Sequence, residues 1–180
     1  MALTAIVTGT PPTPDRNNFT GQVGYEILTA RAMTITHLGR AVGSTFAASH
    51  VINIWRESDN VLIGSATVLT SSPTADGWAY ASCGSVSLSS GVKYCIVVEE
   101  ANAGDNWKNL ASFTAFSGTD ITSVRSAFGN IGSYPNLGFT DNEAYAFPNL
   151  YEGAPDGQPA SRRMGGVKFA GNQSSGMNRW

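Results

Sequence analysis

The stretch Ser49-His50-Val51-Ile52-Asn53-Ile54-Trp55 alternates between two sets of side chains along its length. On an extended chain Ile52 and Ile54 point to one face while Asn53 and Trp55 point to the other, because successive side chains of a strand lie on opposite sides. β-Branched and aromatic residues also fit a pleated, half-buried surface. The stretch therefore predicts a strand that packs one face on a core.

Strand-like stretches of the same kind recur on both sides of this one and are separated by turn signals such as Asp76-Gly77. Short strands at such spacing are typical of a sandwich or barrel and not of alternating strands and helices. The sequence thus predicts an all-β, antiparallel two-sheet sandwich, jelly-roll-like, with about seven to nine strands. The predicted strands cover residues 23–28, 33–41, 51–57, 61–69, 78–83, 85–88, 92–99 and 144–151.

Composition supports this fold class and argues against nucleic acid or a membrane surface as partner. The chain has 180 residues, 42% of them hydrophobic and only 13% charged, against about 25% charged in typical domains. The net charge is −2 without a block of like charge, which gives no reason to expect nucleic acid or a membrane surface as partner. The first residues lack a basic region followed by a sustained apolar run, so we expect synthesis without export.

The two ends of the chain differ from its body. Residues 1–22 contain Pro11-Pro12-Thr13-Pro14, which forbids helix and interrupts a ladder, so an extended arm is predicted before the sandwich of residues 23–153. Residues 154–180 are Gly-rich with a net charge of +3, whereas residues 1–153 carry 7 basic and 12 acidic side chains, a net −5. This second arm is either a disordered tail or a docking arm that orders on a neighbouring subunit. Its candidate assembly residues are Arg162, Arg163, Lys168, Phe169, Arg179 and Trp180.

The path of residues 101–143 is not determined by pattern. It begins with turn-forming residues and continues through mixed sequence. Residues 121–128 fit either a short helix or an irregular loop, and both alternatives stay open.

No convergent catalytic set is apparent in the sequence. His37 and His50 are the only histidines, and neither lies near a nucleophile elbow. Glu99 and Glu100 are adjacent, so on a strand they point to opposite faces and cannot flank one glycosidic bond. We therefore predict a protein without catalytic residues.

The sequence predicts no metal site and no cofactor. Cys83 and Cys95 are the only cysteines, and without a histidine at ligand spacing they do not form a zinc site. They are either one disulfide between neighbouring strands or two buried thiols. A calcium ion held partly by backbone carbonyls would leave little trace in the sequence.

The tryptophans suggest where a ligand would bind. Trp55 and Trp78 lie in predicted strands and are interpreted as core residues. Trp107 follows a turn-rich loop with Asp105 and Asn106 beside it, a combination that suits stacking on a sugar and hydrogen bonding to its hydroxyls. With Tyr134 these residues form the candidate glycan site. The alternative is a tryptophan that packs over the end of the sandwich.

From Val23 to Glu99 the sequence resembles a family of β-sandwich domains, without an assigned function, found in large secreted and phage-encoded bacterial proteins. The resemblance covers somewhat under half of the chain and implies a jelly-roll-like sandwich without enzymatic activity; it transfers no ligand residues. The stretches that carry it are Gly24-Tyr25-Glu26, Met33-Thr34-Ile35-Thr36-His37-Leu38-Gly39-Arg40, Ser49-His50-Val51-Ile52-Asn53-Ile54-Trp55, Leu62-Ile63-Gly64-Ser65-Ala66-Thr67-Val68, Trp78-Ala79-Tyr80 and Val86-Ser87-Leu88-Ser89-Ser90-Gly91-Val92-Lys93-Tyr94.

Together these features lead to two functional hypotheses. The first is a structural protein of a bacteriophage virion, either a capsid decoration protein or head fibre or a tail-associated adhesin, which is made in the host cytoplasm and assembles with other virion proteins or copies of itself. The alternative is a carbohydrate-binding module of a secreted or cell-surface protein, with a cell-surface glycan as its partner.

Overall fold

A computed structural model describes residues 3–8, 11, 15–43, 46–110, 120–141 and 143–153. These parts of the chain contain strands and turns but no helix, so nothing in them forms an apolar helix that could cross a membrane. The strands are β1 (Thr4–Ala5), β2 (Gly21–Thr29), β3 (Met33–Ala41), β4 (His50–Arg56), β5 (Val61–Val68), β6 (Thr74–Ala75), β7 (Trp78–Leu88), β8 (Lys93–Glu100), β9 (Asn109–Leu110), β10 (Ile121–Gly129), β11 (Asn136–Asp141), β12 (Ala144–Tyr145) and β13 (Pro148–Glu152).

Two antiparallel sheets make up most of the fold. A five-stranded sheet has the order β1-β13-β3-β7-β6, and a six-stranded sheet has the order β11-β10-β2-β8-β4-β5. The short strands β9 and β12 pair separately. The predicted class, an all-β antiparallel sandwich, is confirmed.

The main core lies between the two large sheets and is filled by alternate residues of each strand. On β2 these are Val23, Tyr25 and Ile27, none of which is more than 1% exposed. The Tyr25 hydroxyl donates a hydrogen bond to the Pro148 carbonyl and so joins the two sheets. Trp78 is fully buried in this core, as its strand position predicts.

The turn between β6 and β7 shows how local sequence sets the register. Ala75 pairs with Trp78, which leaves a two-residue loop of Asp76 and Gly77. Both residues have positive φ, 51° and 91°, as a type I′ hairpin requires. An Asp-Gly pair meets that requirement with little strain.

Two segments differ from the expectation for them. Residues 121–128 were expected to form a short helix or an irregular loop, whereas the structure has the nine-residue strand β10, which pairs with β2 and β11. Within the predicted N-terminal arm, residues Thr4–Ala5 form β1, which adds to the edge of the sandwich through β13. Ile6 and Val7, which follow β1, are 3% and 1% exposed, so this part of the arm belongs to the packed fold.

Candidate functional site

Four ionisable side chains meet at one end of the sandwich. Arg40 comes from the end of β3, His50 from the start of β4, Glu100 from the end of β8 and Asp105 from the loop after β8. Each residue is at most 5% exposed. We refer to these four residues as the buried ionic network.

The centre of the buried ionic network is the pair of Arg40 and Glu100. The Arg40 Nη2 lies 2.9 Å from Glu100 Oε1 and its Nε lies 3.1 Å from the same oxygen. The guanidinium also donates to the carbonyls of Ala41, at 3.0 Å, and Asn106, at 3.2 Å. Burial raises the pKa of Glu100, although the charges of Arg40 and His50 act in the opposite direction. The pair is therefore both desolvated and well connected.

His50 is bonded through both ring nitrogens. Its Nδ1 lies 3.0 Å from the Glu99 carbonyl oxygen and 3.3 Å from Glu100 Oε2, and its Nε2 lies 2.9 Å from Asp105 Oδ2. All three partners are acceptors and they engage both ring nitrogens, so neither nitrogen is available to take a proton from a bound molecule. The geometry therefore favours a structural role for His50.

Asp105 fixes the segment that leads into β4. Its carboxylate accepts hydrogen bonds from the backbone N–H groups of Ala47 and Ala48 at 2.9 to 3.0 Å. Burial raises the pKa of Asp105, but the hydrogen bonds from His50 and from these two amides outweigh it and hold the pKa below its usual value. The carboxylate thus stays ionised and ties two loops to the buried ionic network.

A cleft of about 180 Å³ opens beside this network. It lies where the loops before β4 and after β8 approach the loop between β10 and β11. Its lining residues are Ala48, Ser49, His50, Glu99, Glu100, Ala101, Gly104, Asp105 and Ile131. Because the polar groups on its floor already bond one another, the cleft presents few free donors or acceptors to a ligand.

The residues predicted to bind glycan are not assembled into one platform. Trp107 is only 4% exposed and packs in the main core, with the Arg16 guanidinium 4.7 Å from its ring centre. This is the alternative of a tryptophan packed over the end of the sandwich, and it does not present the ring for stacking. Asp105 belongs to the buried ionic network, and Asn106 gives its carbonyl to Arg40. Tyr134 packs elsewhere, against Trp55 and Cys95.

The C-terminal arm residues lie outside the described part of the chain. They are Arg162, Arg163, Lys168, Phe169, Arg179 and Trp180.

The cysteines are free thiols, one half-buried and one buried. Cys83 lies on β7 and Cys95 on β8, in different sheets. Of the two alternatives, a disulfide and two unpaired thiols, the structure has the unpaired thiols. Among the described residues no three or more His, Cys, Asp and Glu side chains are grouped as metal ligands.

A second polar region lies on the outer face of the six-stranded sheet, and the sequence reasoning missed it. Outer face here means the side of this sheet that points away from the main core, with Gln22, Glu26, Asn53, Trp55, Cys95, Val97, Arg125 and Ala127. Four of these form a separate apolar cluster with Tyr134 and Leu137 packed on it: Trp55, Cys95, Val97 and Ala127. Trp55, interpreted as a core residue, is buried in this cluster and not between the sheets.

One signal in the sequence marks the outer face. Glu26 lies between Tyr25 and Ile27 in strand β2, and the structure buries it completely. A carboxylate is rarely placed there without a partner.

No protein-family model matches the chain, and no curated protein matches it either. The resemblance over residues 23–99 therefore stays a prediction.

Proposed function

We propose that this protein is a non-enzymatic structural component of a bacteriophage virion, a capsid decoration protein, head fibre or tail-associated adhesin, that joins its neighbours through its terminal segments. The observation that carries the proposal is the way in which the N-terminal segment adds to a sheet edge. An element of that kind can be donated to a neighbouring subunit as well as to its own sandwich.

The attachment of the N-terminal segment is mainly a backbone attachment. Thr4 pairs with Glu152 and Ala5 with Tyr151, and the Ile6 N–H donates to the Leu150 carbonyl at 2.8 Å. Such bonds form equally well with a strand from another copy. The sheet edge at β13 is therefore an acceptor for an extended segment.

Side chains then give this attachment its register. The Asn149 side chain accepts from the Val7 N–H and donates to the Val7 carbonyl, both at 2.9 Å. Asn149 is fully buried, and an amide satisfied in both directions fixes one alignment. These bonds fix the alignment of the segment at Val7, and the buried side chains of Ile6 and Val7 select its sequence.

The distribution of charge along the chain suits contact between subunits. The opposite charges of residues 1–153 and 154–180, −5 and +3, favour contact between the C-terminal arm of one copy and the body of another.

The particle of the phage whose genome carries the gene provides the test. We expect the full chain to sediment with purified particles, whereas a variant that ends at Gly153 should be folded, monomeric and absent from them. Arg56→Gln is the matched control, because it removes one exposed cation from the body and leaves both arms intact; it should sediment like the full chain.

A second measurement examines strand donation directly. A sandwich that lacks residues 1–8 should bind a synthetic peptide of residues 1–8 added in trans and melt at a higher temperature in its presence. A peptide with Ile6→Asp should have no effect. Particle association that is unchanged in the variant ending at Gly153, together with no response to the peptide, would contradict the proposal.

A further inference from the structure

Unpaired polar atoms are concentrated on the outer face of the six-stranded sheet. Among the described residues, eight buried side-chain nitrogen and oxygen atoms have no hydrogen-bond partner, and five of them lie on this face. They are Gln22 Oε1, Glu26 Oε1, Glu26 Oε2, Trp55 Nε1 and Arg125 Nε. Buried polar groups normally find partners, so such a concentration in one place indicates a group that is still to bind.

Three of these residues lie in one row across the sheet. Arg125 pairs with Glu26, Glu26 pairs with Cys95, and Cys95 pairs with Trp55. Four neighbouring strands span roughly 14 Å at the usual strand spacing. The row therefore offers acceptors at Glu26 with a donor toward each end, Arg125 Nε and Trp55 Nε1.

Glu26 is the least satisfied group in the row. It is fully buried, and its nearest cations are Arg125 Nε at 3.4 Å and Lys93 Nζ at 3.5 Å. Neither contact has hydrogen-bond geometry, since both Glu26 oxygens remain without a bond. Both cations are about one third exposed, so they neutralise the carboxylate and leave its lone pairs available.

The loop of residues 130–135 lies over this row. Gln22 Nε2 donates to the Ser133 carbonyl, and the Tyr134 hydroxyl lies 3.3 Å from Cys95 Sγ. The Tyr134 ring meets Trp55 edge to face, with 6.4 Å between the ring centres. A ligand that displaces Tyr134 from Trp55 would gain the face of an indole.

The pattern of donors and acceptors selects the chemistry of that ligand. A cation would leave Trp55 Nε1 and Arg125 Nε unpaired, and an anion would lie against the Glu26 carboxylate. A hydroxyl both donates and accepts, so the hydroxyls of a saccharide of two or more sugar units can bond to these groups along the roughly 14 Å row. The apolar face of one of its rings suits Trp55 and Tyr134.

We propose that the outer face beneath residues 130–135 binds a neutral saccharide, with hydroxyls bonded to Glu26, Trp55 Nε1 and Arg125 and the sugar ring packed on Trp55. This site goes beyond the assembly role and does not depend on it. It also differs from the loop around Trp107, whose ring packs in the main core, whereas Trp55 is 7% exposed on the outer face and Tyr134, packed against it, has to move before a sugar can reach it.

The full chain can be titrated with neutral gluco-, xylo-, manno- and galacto-oligosaccharides, and with oligogalacturonate as the charged comparison, by saturation-transfer NMR and calorimetry. We expect a neutral oligosaccharide to bind and oligogalacturonate not to bind. Trp55→Phe removes one donor and keeps an aromatic ring, and Glu26→Gln keeps the shape but not the charge. Each should raise the Kd about ten-fold or more.

Trp107→Phe is the matched control, because Trp107 Nε1 is also buried and unpaired but lies in the main core, away from the outer face. Its Kd should equal that of the wild type. Melting curves report whether each variant is folded, and Glu26→Gln carries the test if Trp55→Phe is not. No binding by any neutral member of the panel, a Kd unaffected by both outer-face variants, or tighter binding of oligogalacturonate would overturn the proposal.

Discussion

Replacing Glu100 by glutamine isolates the charge at the centre of the buried ionic network. Glu100→Gln changes neither the size nor the shape of the side chain, so no cavity is created. It does place a neutral amide against the Arg40 guanidinium, which is 3% exposed and lies 2.9 Å from the present carboxylate. The variant therefore leaves a buried cation without its countercharge.

The burial of the Arg40–Glu100 pair sets the expected loss of unfolding free energy. Removing one partner of a buried ion pair costs about 3–5 kcal/mol, and because burial already raises the pKa of Glu100, we expect a loss near the lower end, about 3 kcal/mol. For a chain of this size that loss lowers the melting temperature by roughly 6–12 °C. It is a large share of a total stability of about 5–15 kcal/mol.

Guanidinium chloride titration followed by tryptophan fluorescence measures the loss, with a lower midpoint and an unchanged slope expected. Asp59→Asn is the control, because Asp59 lies 2.6 Å from Arg56 in a pair whose side chains are 41% and 43% exposed. That variant should leave the midpoint unchanged, since solvent screens an exposed pair. Equal midpoints for Glu100→Gln and Asp59→Asn would refute the claim that the buried ionic network stabilises the fold.

Two further predictions concern acid stability and the loop tryptophan. Hydrogen bonds from Arg31 hold the pKa values of Asp120 and Glu152 below their usual range, so this stability is present above about pH 4 and is lost as the pH falls through the native values. Arg31→Gln should therefore lower the urea midpoint at pH 7 and match the wild type near pH 2; an equal deficit at both pH values would contradict the linkage. Trp107→Ala should reduce the free energy of unfolding by about 3–5 kcal/mol because the ring is buried. If Trp107 were an exposed glycan platform, the same variant would keep the wild-type melting temperature, so thermal unfolding distinguishes a core tryptophan from a platform.

The strands that alternate regularly could be predicted from the sequence. Residues 33–41 were predicted as a strand, and β3 has these bounds. Residues 121–129 were not, and β10 explains why, since its register shifts between Ser123 and Arg125. Ile121 packs in the main core, whereas Ala127, six residues later, lies on the outer face. A bulge reverses the phase of a strand, so no single period describes the segment.

The sites could not be predicted in the same way, because their partners are distant in sequence. Arg40 and Glu100 are bonded across 60 positions, and His50 and Asp105 across 55. Trp107 has the loop context of a ligand platform, but Arg16 covers its ring from the N-terminal part of the chain. Local pattern reports which residues alternate and does not report which loops meet.

The buried ionic network and the outer face differ in whether their buried polar atoms are hydrogen-bonded, and we infer their different roles from that difference. In the buried ionic network each carboxylate and each ring nitrogen of His50 has a partner, and a satisfied network of this kind makes the end of the sandwich rigid. On the outer face the Glu26 oxygens, Trp55 Nε1 and Arg125 Nε make no hydrogen bond, although Arg125 Nε and Lys93 Nζ lie 3.4 and 3.5 Å from Glu26. Buried polar atoms without hydrogen bonds lower stability unless something binds. Glu100→Gln should therefore change unfolding, and Glu26→Gln should change saccharide binding while leaving the sandwich folded. If Glu26→Gln destabilised the sandwich as Glu100→Gln does and no saccharide bound, Glu26 would be a structural ion pair with Arg125 and Lys93, and the outer face would have no ligand.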